Sequence, residues 1–113
     1  MLTCSEVAMI DWDRIRELRA DIGADAFEEV LDLFLEEVET GLSDLDDSMS
    51  GAQRRERLHF IAGSALNLGF PSLASLCQSA EREQKPVTSE EIRTCYAMCR
   101  ENLLANIGPQ ITA

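Results

Sequence analysis

The chain holds a single histidine, one tryptophan and one tyrosine, and only 10 lysines and arginines stand against 21 acidic residues. That shortage of positive charge argues against a DNA- or RNA-binding body, because phosphate contacts need clustered Lys and Arg. It equally disfavours docking on an anionic membrane. Long apolar runs are missing, so no segment reads as a bilayer span. The opening MLTCSEVAMIDWD has neither a positively charged start nor a long apolar stretch, and it does not read as a signal peptide. With no second histidine, a His-based hydrolase or a histidine metal cluster is poorly supported. No glycine-rich nucleotide loop is present, so ATP binding by such a loop is not expected.

What is there fits one small globular domain. Its 113 residues are 45% hydrophobic and 27% charged, with a formal net charge of -11. That length suits a single domain over 1–113, and the apolar fraction is ordinary for a folded chain. Four cysteines sit at 4, 77, 95 and 99. Cys95 and Cys99 are one helical turn apart, and the simplest reading is four reduced thiols, some in the core, in a cytoplasmic protein.

Three prolines, six glycines and no sustained β-branched alternation point to helix throughout. Asp11 caps a first short helix with Trp12, Ile15, Leu18 and Ile22 at helical spacing, and Gly23 breaks it. A second run extends from about Ala24 to Asp47, its stripe traced by Phe27, Val30, Leu31, Phe34, Val38, Leu42 and Leu45. Glu28, Asp32, Glu36, Glu39 and Asp46 make its other face acidic. Ser50 and Gln53 have capping-box spacing for a third helix that ends at Gly69. Pro71 opens a fourth, with Leu73, Leu76, Cys77 and Ala80 inward, and Lys85-Pro86 closes it. Thr88 or Ser89 caps a fifth, carrying Ile92, Cys95, Tyr96, Cys99, Leu103 and Ile107, which Gly108-Pro109 ends ahead of a loose C-terminal tail. Short connections favour antiparallel neighbours. The expected fold is therefore all-α: an up-down-up-down antiparallel four-helix bundle with a short additional N-terminal helix and a core over about 10–107.

The third helix is the informative one. At 100° per residue, Leu58, Ile61, Ala65 and Leu68 share one sector, and His59 lies about 140° from its centre. His59 should therefore be exposed. Arg55, Ala62, Gly63 and Leu66 are its neighbours on that face. A mid-helix glycine costs about 1 kcal/mol relative to alanine. Ala62 and Gly63 leave open space beside the imidazole, and Leu66 sets an apolar group where solvent is expected. An ordinary surface histidine accounts for His59 alone. The combination suggests instead an imidazole on a shallow platform that another protein approaches closely. Neutral imidazole is well populated near neutral pH and can act as a nucleophile, including toward phosphorus.

The segment LHFIAGSALNLGF resembles the signature of histidine-containing phosphotransfer (HPt) domains of multistep two-component phosphorelays. The pattern's histidine, glycine at +4, small residues at +5 and +6 and glycine at +10 fall on His59, Gly63, Ser64, Ala65 and Gly69. The acidic residue near the end of the next helix falls on Glu81. The resemblance covers about residues 10–107. It implies a phosphocarrier that accepts a phosphoryl group on His59 from a receiver-domain aspartyl phosphate and donates it to another receiver. It implies no kinase or phosphatase centre and no cofactor, with Mg²⁺ on the receiver partner only. Receivers and a hybrid histidine kinase are the implied partners, and a monomer is the implied state. The departure is Ala62, where the family usually has Lys or Arg. Arg55, one turn before His59, is the first choice to stabilise phosphate in its place. Ala62, Gly63, Leu66, Phe60, Glu81 and Lys85 are the expected docking residues. Arg54 and Arg57 are expected to make the docking face less acidic than the rest. A helical binding module that docks on a receiver or kinase without being phosphorylated is the alternative.

Overall fold

The computed structural model describes residues 9–82 and 87–112. Five helices follow one another: α1 (Trp12–Ile22), α2 (Ala24–Asp44), α3 (Gly51–Leu68), α4 (Pro71–Glu81) and α5 (Ser89–Thr112). No strand occurs among the described residues. The all-α fold expected from the helical periodicity is the one observed.

The ends are set by local chemistry. The Asp11 carboxylate accepts from the Arg14 N–H at the start of α1, and the Ser50 hydroxyl accepts from the Gln53 N–H at the start of α3. Gly69 ends α3 in the left-handed conformation at φ 82°, where its N–H donates to Leu66 and Phe70 N–H donates to Ala65. A side chain at 69 would also meet the Asp11 carbonyl at 3.1 Å and Ile15 at 3.2 Å. Asp11 N–H donates to the Gly69 carbonyl and Arg14 Nε donates to the Asn67 carbonyl, so α1 is fastened to the C-terminal end of α3.

Contacts between α2 and α3 advance in one helix as they retreat in the other. Gly41 faces Phe60 and Ile61, Asp44 pairs with Arg57, and Asp47 pairs with Arg54. That progression defines an antiparallel hairpin. The same reversal relates α2 and α5: Arg93 donates to the Leu42 and Leu45 carbonyls, while Tyr96 Oη donates to Glu39 Oε2 at 2.5 Å. The core fills the space between, with Ile15, Val38, Leu58, Ile61, Leu68, Phe70, Leu73, Ile92 and Leu103 excluded from solvent. At roughly 1.5–3 kcal/mol for each large apolar side chain, this burial is the main favourable term.

Three expectations are corrected. Helix α2 stops at Asp44 rather than Asp47, because Leu45 turns extended (φ -75°, ψ 128°) to stay in the core while Arg93 takes up the freed carbonyls. Helix α5 continues through Gly108 and Pro109 to Thr112 instead of ending in a loose tail. The carbonyl that Pro109 deprives of an N–H belongs to exposed Ala105, where water can serve it. Among the cysteines, Cys77 and Cys99 are free and buried, but Cys95 is disulfide-bonded. Cys4 and the Lys85-Pro86 stop lie outside the described residues.

A polar clasp holds the opposite end of the bundle. Asp47 Oδ1 accepts from the Ser89 N–H at 2.9 Å and the Ser89 hydroxyl at 2.6 Å, and Arg54 Nη2 donates to the Val87 carbonyl at 2.8 Å. The Ser89 hydroxyl, then its N–H, hold the Asp47 carboxyl below its ordinary value of 3.8. A depressed folded-state pKa gives stability that is complete above the unfolded value and lost as pH falls through the folded one. Asp47→Ala should therefore unfold at lower denaturant than wild type at pH 7, and the gap should narrow as the pH is taken below about 3.8. Urea unfolding of both proteins across that range checks it.

Gly41 marks a close approach of α2 to α3. A Cβ there would lie 3.1 Å from Ile61 Cγ1 and 3.4 Å from the Phe60 ring. Alanine gains up to about 1 kcal/mol of helix propensity. Against that, overpacking a fully buried neighbour typically costs about 1–3 kcal/mol. Gly41→Ala should lower the thermal midpoint, measured by circular dichroism.

Candidate functional site

The imidazole of His59 stands at mid-length on α3 with 80% of its side-chain surface exposed. Its angular separation from the buried stripe puts it there, as the helical wheel predicts. The return of α4 along α3 brings Glu81 alongside, with Nδ1 of His59 3.1 Å from Oε1 of Glu81. Glu81 is only 27% exposed, so its carboxylate is held against the bundle while the imidazole reaches outward. A carboxylate can only accept, so this bond assigns the proton of neutral imidazole to Nδ1. The Nε2 lone pair is left on the solvent side.

Around the pair lies a shallow cleft of about 410 Å³, walled by α3 on one side and the end of α4 on the other. Arg55, Gly63 and Leu66 line the first wall, and Gln78, Glu81 and Arg82 the second. Leu66 is 51% exposed, and a Cβ on Gly63 would meet nothing within 4 Å. Among the described residues the glycine therefore serves no packing need, although it sits in a helix interior.

Ala62 departs from expectation. It is 3% exposed and belongs to the core, so it forms the floor of the cleft instead of an exposed docking point. Its position on the wheel explains this, since it lies roughly midway between the core sector and His59, on the flank that α4 covers. Phe60 faces away from the cleft. It is 43% exposed and lines a separate apolar groove of about 540 Å³ between α2 and α3, with Val30, Leu33, Phe34 and Arg57. Lys85 lies outside the described residues.

The three arginines expected near His59 divide. Arg54 is spent on Val87 and Asp47, and Arg57 pairs with Asp44 at 3.7 Å on the groove side. Only Arg55 of the three lines the cleft. Sequence reasoning missed Gln78 and Arg82. Their signal was the placement of Glu81, because residues three before and one after it flank the same edge of α4.

Among the described residues no free thiol competes with the imidazole. Burial, followed by the negative charge of Glu81, pushes the Cys77 thiol up to about 12, and burial also raises that of Cys99. Both stay protonated near neutral pH. Burial, with Glu39 beside it, pushes the Tyr96 hydroxyl up as well. Among the described residues no group of three or more His, Cys, Asp or Glu is placed to hold a metal ion. No helix among them is long and apolar enough to cross a membrane.

A family model, the Hpt domain, matches residues 29–108, which contain His59, Gly63 and Glu81. The chain belongs to the Hpt domain family. Its role is histidine phosphotransfer in two-component signalling, in a family whose members interact with receiver domains and hybrid kinases and lack a catalytic centre of their own. Comparison with curated proteins and with solved structures gives no match to either.

Gly63→Leu separates stability from access. Leucine is the better helix former, so the substitution should stabilise α3 by somewhat under about 1 kcal/mol. The same side chain projects into the cleft beside His59. Thermal unfolding should show a midpoint unchanged or raised, while titration with receiver domains should show weakened binding.

Proposed function

We infer that this chain is a phosphocarrier whose acceptor atom is Nε2 of His59, loaded from the aspartyl phosphate of one receiver domain and discharged onto another. The observation that carries this reading is the His59–Glu81 bond on an exposed imidazole. It keeps the proton on Nδ1 and aims a lone pair at solvent, which is what attack on phosphorus needs.

The step balances without an outside acid or base. The Nε2 lone pair forms an N–P bond as the P–O bond to the aspartyl carboxylate breaks, and the electron pair leaves on that carboxylate. Nδ1 keeps its proton, so the ring becomes cationic against the Glu81 carboxylate. Discharge is the same path reversed with a second receiver. Mg²⁺ and the acidic pocket belong to the receiver, and no cofactor of this chain enters.

Several features support close approach. Gly63 leaves space next to His59, and Leu66 offers an apolar contact at the rim. Phe60 opens a second, apolar footing on the α2 side, with Leu33 57% exposed beside it. Receiver docking is thus spread over both flanks of α3. Arg55, one turn before His59, supplies positive charge on the cleft wall where the uncharged Ala62 cannot. The cytoplasm, where receivers are found, is the setting this reading implies.

Ala62 is the observation that favours the alternative, a module that docks on receivers without taking phosphate. One assay separates the two. Wild type and His59→Gln are mixed with a panel of labelled phosphoreceivers from the source organism. The carrier takes up acid-labile label, and His59→Gln takes none while its stability changes by less than about 0.5 kcal/mol, as usual for an exposed site. Undiminished label on the folded variant would falsify the assignment of His59. Binding without label on wild type would establish the alternative.

A further inference from the structure

The four cysteines are not equivalent. Cys77 and Cys99 are free and excluded from solvent, whereas Cys95 is disulfide-bonded. Cys4 is the one cysteine that remains to pair with it inside the chain. Cys99, one turn further along α5, is unsuited as a partner by geometry as well. Residues four apart on a helix hold their Cβ atoms about 5–6 Å apart, and a disulfide needs roughly 3.5–4.5 Å.

The described chain starts within reach of the Cys95 sulfur. Met9 packs against the core, and its Sδ lies 3.9 Å from Nδ2 of Asn102 on α5. Cys95 stands two helical turns before Asn102 on the same face, about 10 Å along the axis. From Met9 back to Cys4 is a stretch that spans up to about 17 Å when extended. Ser72, at the start of α4, has its hydroxyl 3.9 Å from Cys95 Sγ and 3.4 Å from Cys99 Sγ. A hydroxyl donates or accepts, so a reduced Cys95 thiol has a partner waiting in the core. Burial raises the Cys77 and Cys99 thiols and keeps them protonated, which makes both poor targets for oxidation.

We propose that Cys4 and Cys95 are a redox modification site, a reversible disulfide latch that ties the N-terminal segment to α5 when oxidised and releases it when reduced. In the cytoplasm thiols are kept reduced, and a disulfide there is usually transient and redox-sensing. That setting alone rests on the phosphocarrier reading; the bond itself does not. Opening takes a dithiol reductant. One of its thiolates attacks the Cys4–Cys95 bond, which breaks as a mixed disulfide forms, and its second thiolate then displaces the sulfur of this chain. The reductant ends as a disulfide, and Cys4 and Cys95 each end as a thiol, having gained one electron and one proton. The closed bond spans about 90 residues, and a cross-link over a long loop restricts the unfolded chain most. Redox state therefore sets the stability of the fold.

Equilibrating the full chain in mixtures of reduced and oxidised glutathione tests the latch. Free thiols are trapped with N-ethylmaleimide in denaturant, the protein is digested, and linked peptides are identified by mass spectrometry. The latch predicts one intramolecular link, Cys4 to Cys95, which forms as the mixture becomes oxidising and is lost with dithiothreitol. Thermal unfolding followed by circular dichroism should place the oxidised midpoint at least about 10 °C above the reduced one, as a long-loop disulfide typically gives in a domain of this size. Cys4→Ser should show one midpoint in both mixtures. Cys4 fully alkylated in the most oxidising mixture, a link from Cys4 to a second copy, or equal midpoints for linked and reduced wild type each overturn the latch. None of these outcomes touches His59, so uptake of label from phosphoreceivers decides the acceptor assignment separately.

Discussion

The two-residue connection between α3 and α4 is the constraint on which the site depends. Gly69 takes a left-handed backbone that ordinary residues adopt only at a cost, and Phe70 buries its ring at the same corner. Pro71 then starts α4 at once, as its fixed φ favours at a first helical turn. The chain reverses with no slack, so α4 must run back along α3. Glu81, at the far end of α4, arrives beside His59, which is 22 positions earlier in the chain. The carboxylate is not a local partner of the imidazole. It is delivered by the turn.

The bundle gives each flank of α3 a different character. On the α4 side the packing is close, Ala62 is sealed beneath it, and polar groups of α4 crowd the rim. On the α2 side Gly41 lets the helices approach, yet Phe60 and Leu33 stay partly in solvent. His59 stands on the ridge between a polar cleft and an apolar groove. The acidic excess lies mainly along α2, and its members are partly engaged: Glu39 takes a hydrogen bond from Tyr96 and faces Arg100 at 3.4 Å.

Periodicity made most of the fold legible. The stripe of Leu58, Ile61, Ala65 and Leu68 is wholly buried, and the exposure of His59 follows from it. Capping chemistry located the starts of α1 and α3. What pattern could not supply is how neighbouring helices cross. Ala62 lies at the boundary between buried and exposed sectors, and only the position of α4 decides for it. Gln78 and Arg82 are ordinary helix residues until Glu81 is seen against His59. The arginines show the same limit: Arg54, Arg55 and Arg57 are near neighbours in sequence, yet three different surfaces claim them. The end of α5 was misjudged for another reason. A proline stops a helix where its missing hydrogen bond is costly, and at an exposed carbonyl that cost is small.

The His59–Glu81 contact joins two helices that touch nowhere else through a charged pair among the described residues. Its length depends on the axial register of α4 against α3, since one residue of helical slip moves a side chain by about 1.5 Å and turns it by 100°. The imidazole thus acts as a vernier for that register. Because the chain has one histidine, its ring nitrogens give a single, unambiguous set of resonances. The proton position on that ring reports, from the surface, on whether the buried interface beneath it is correctly closed.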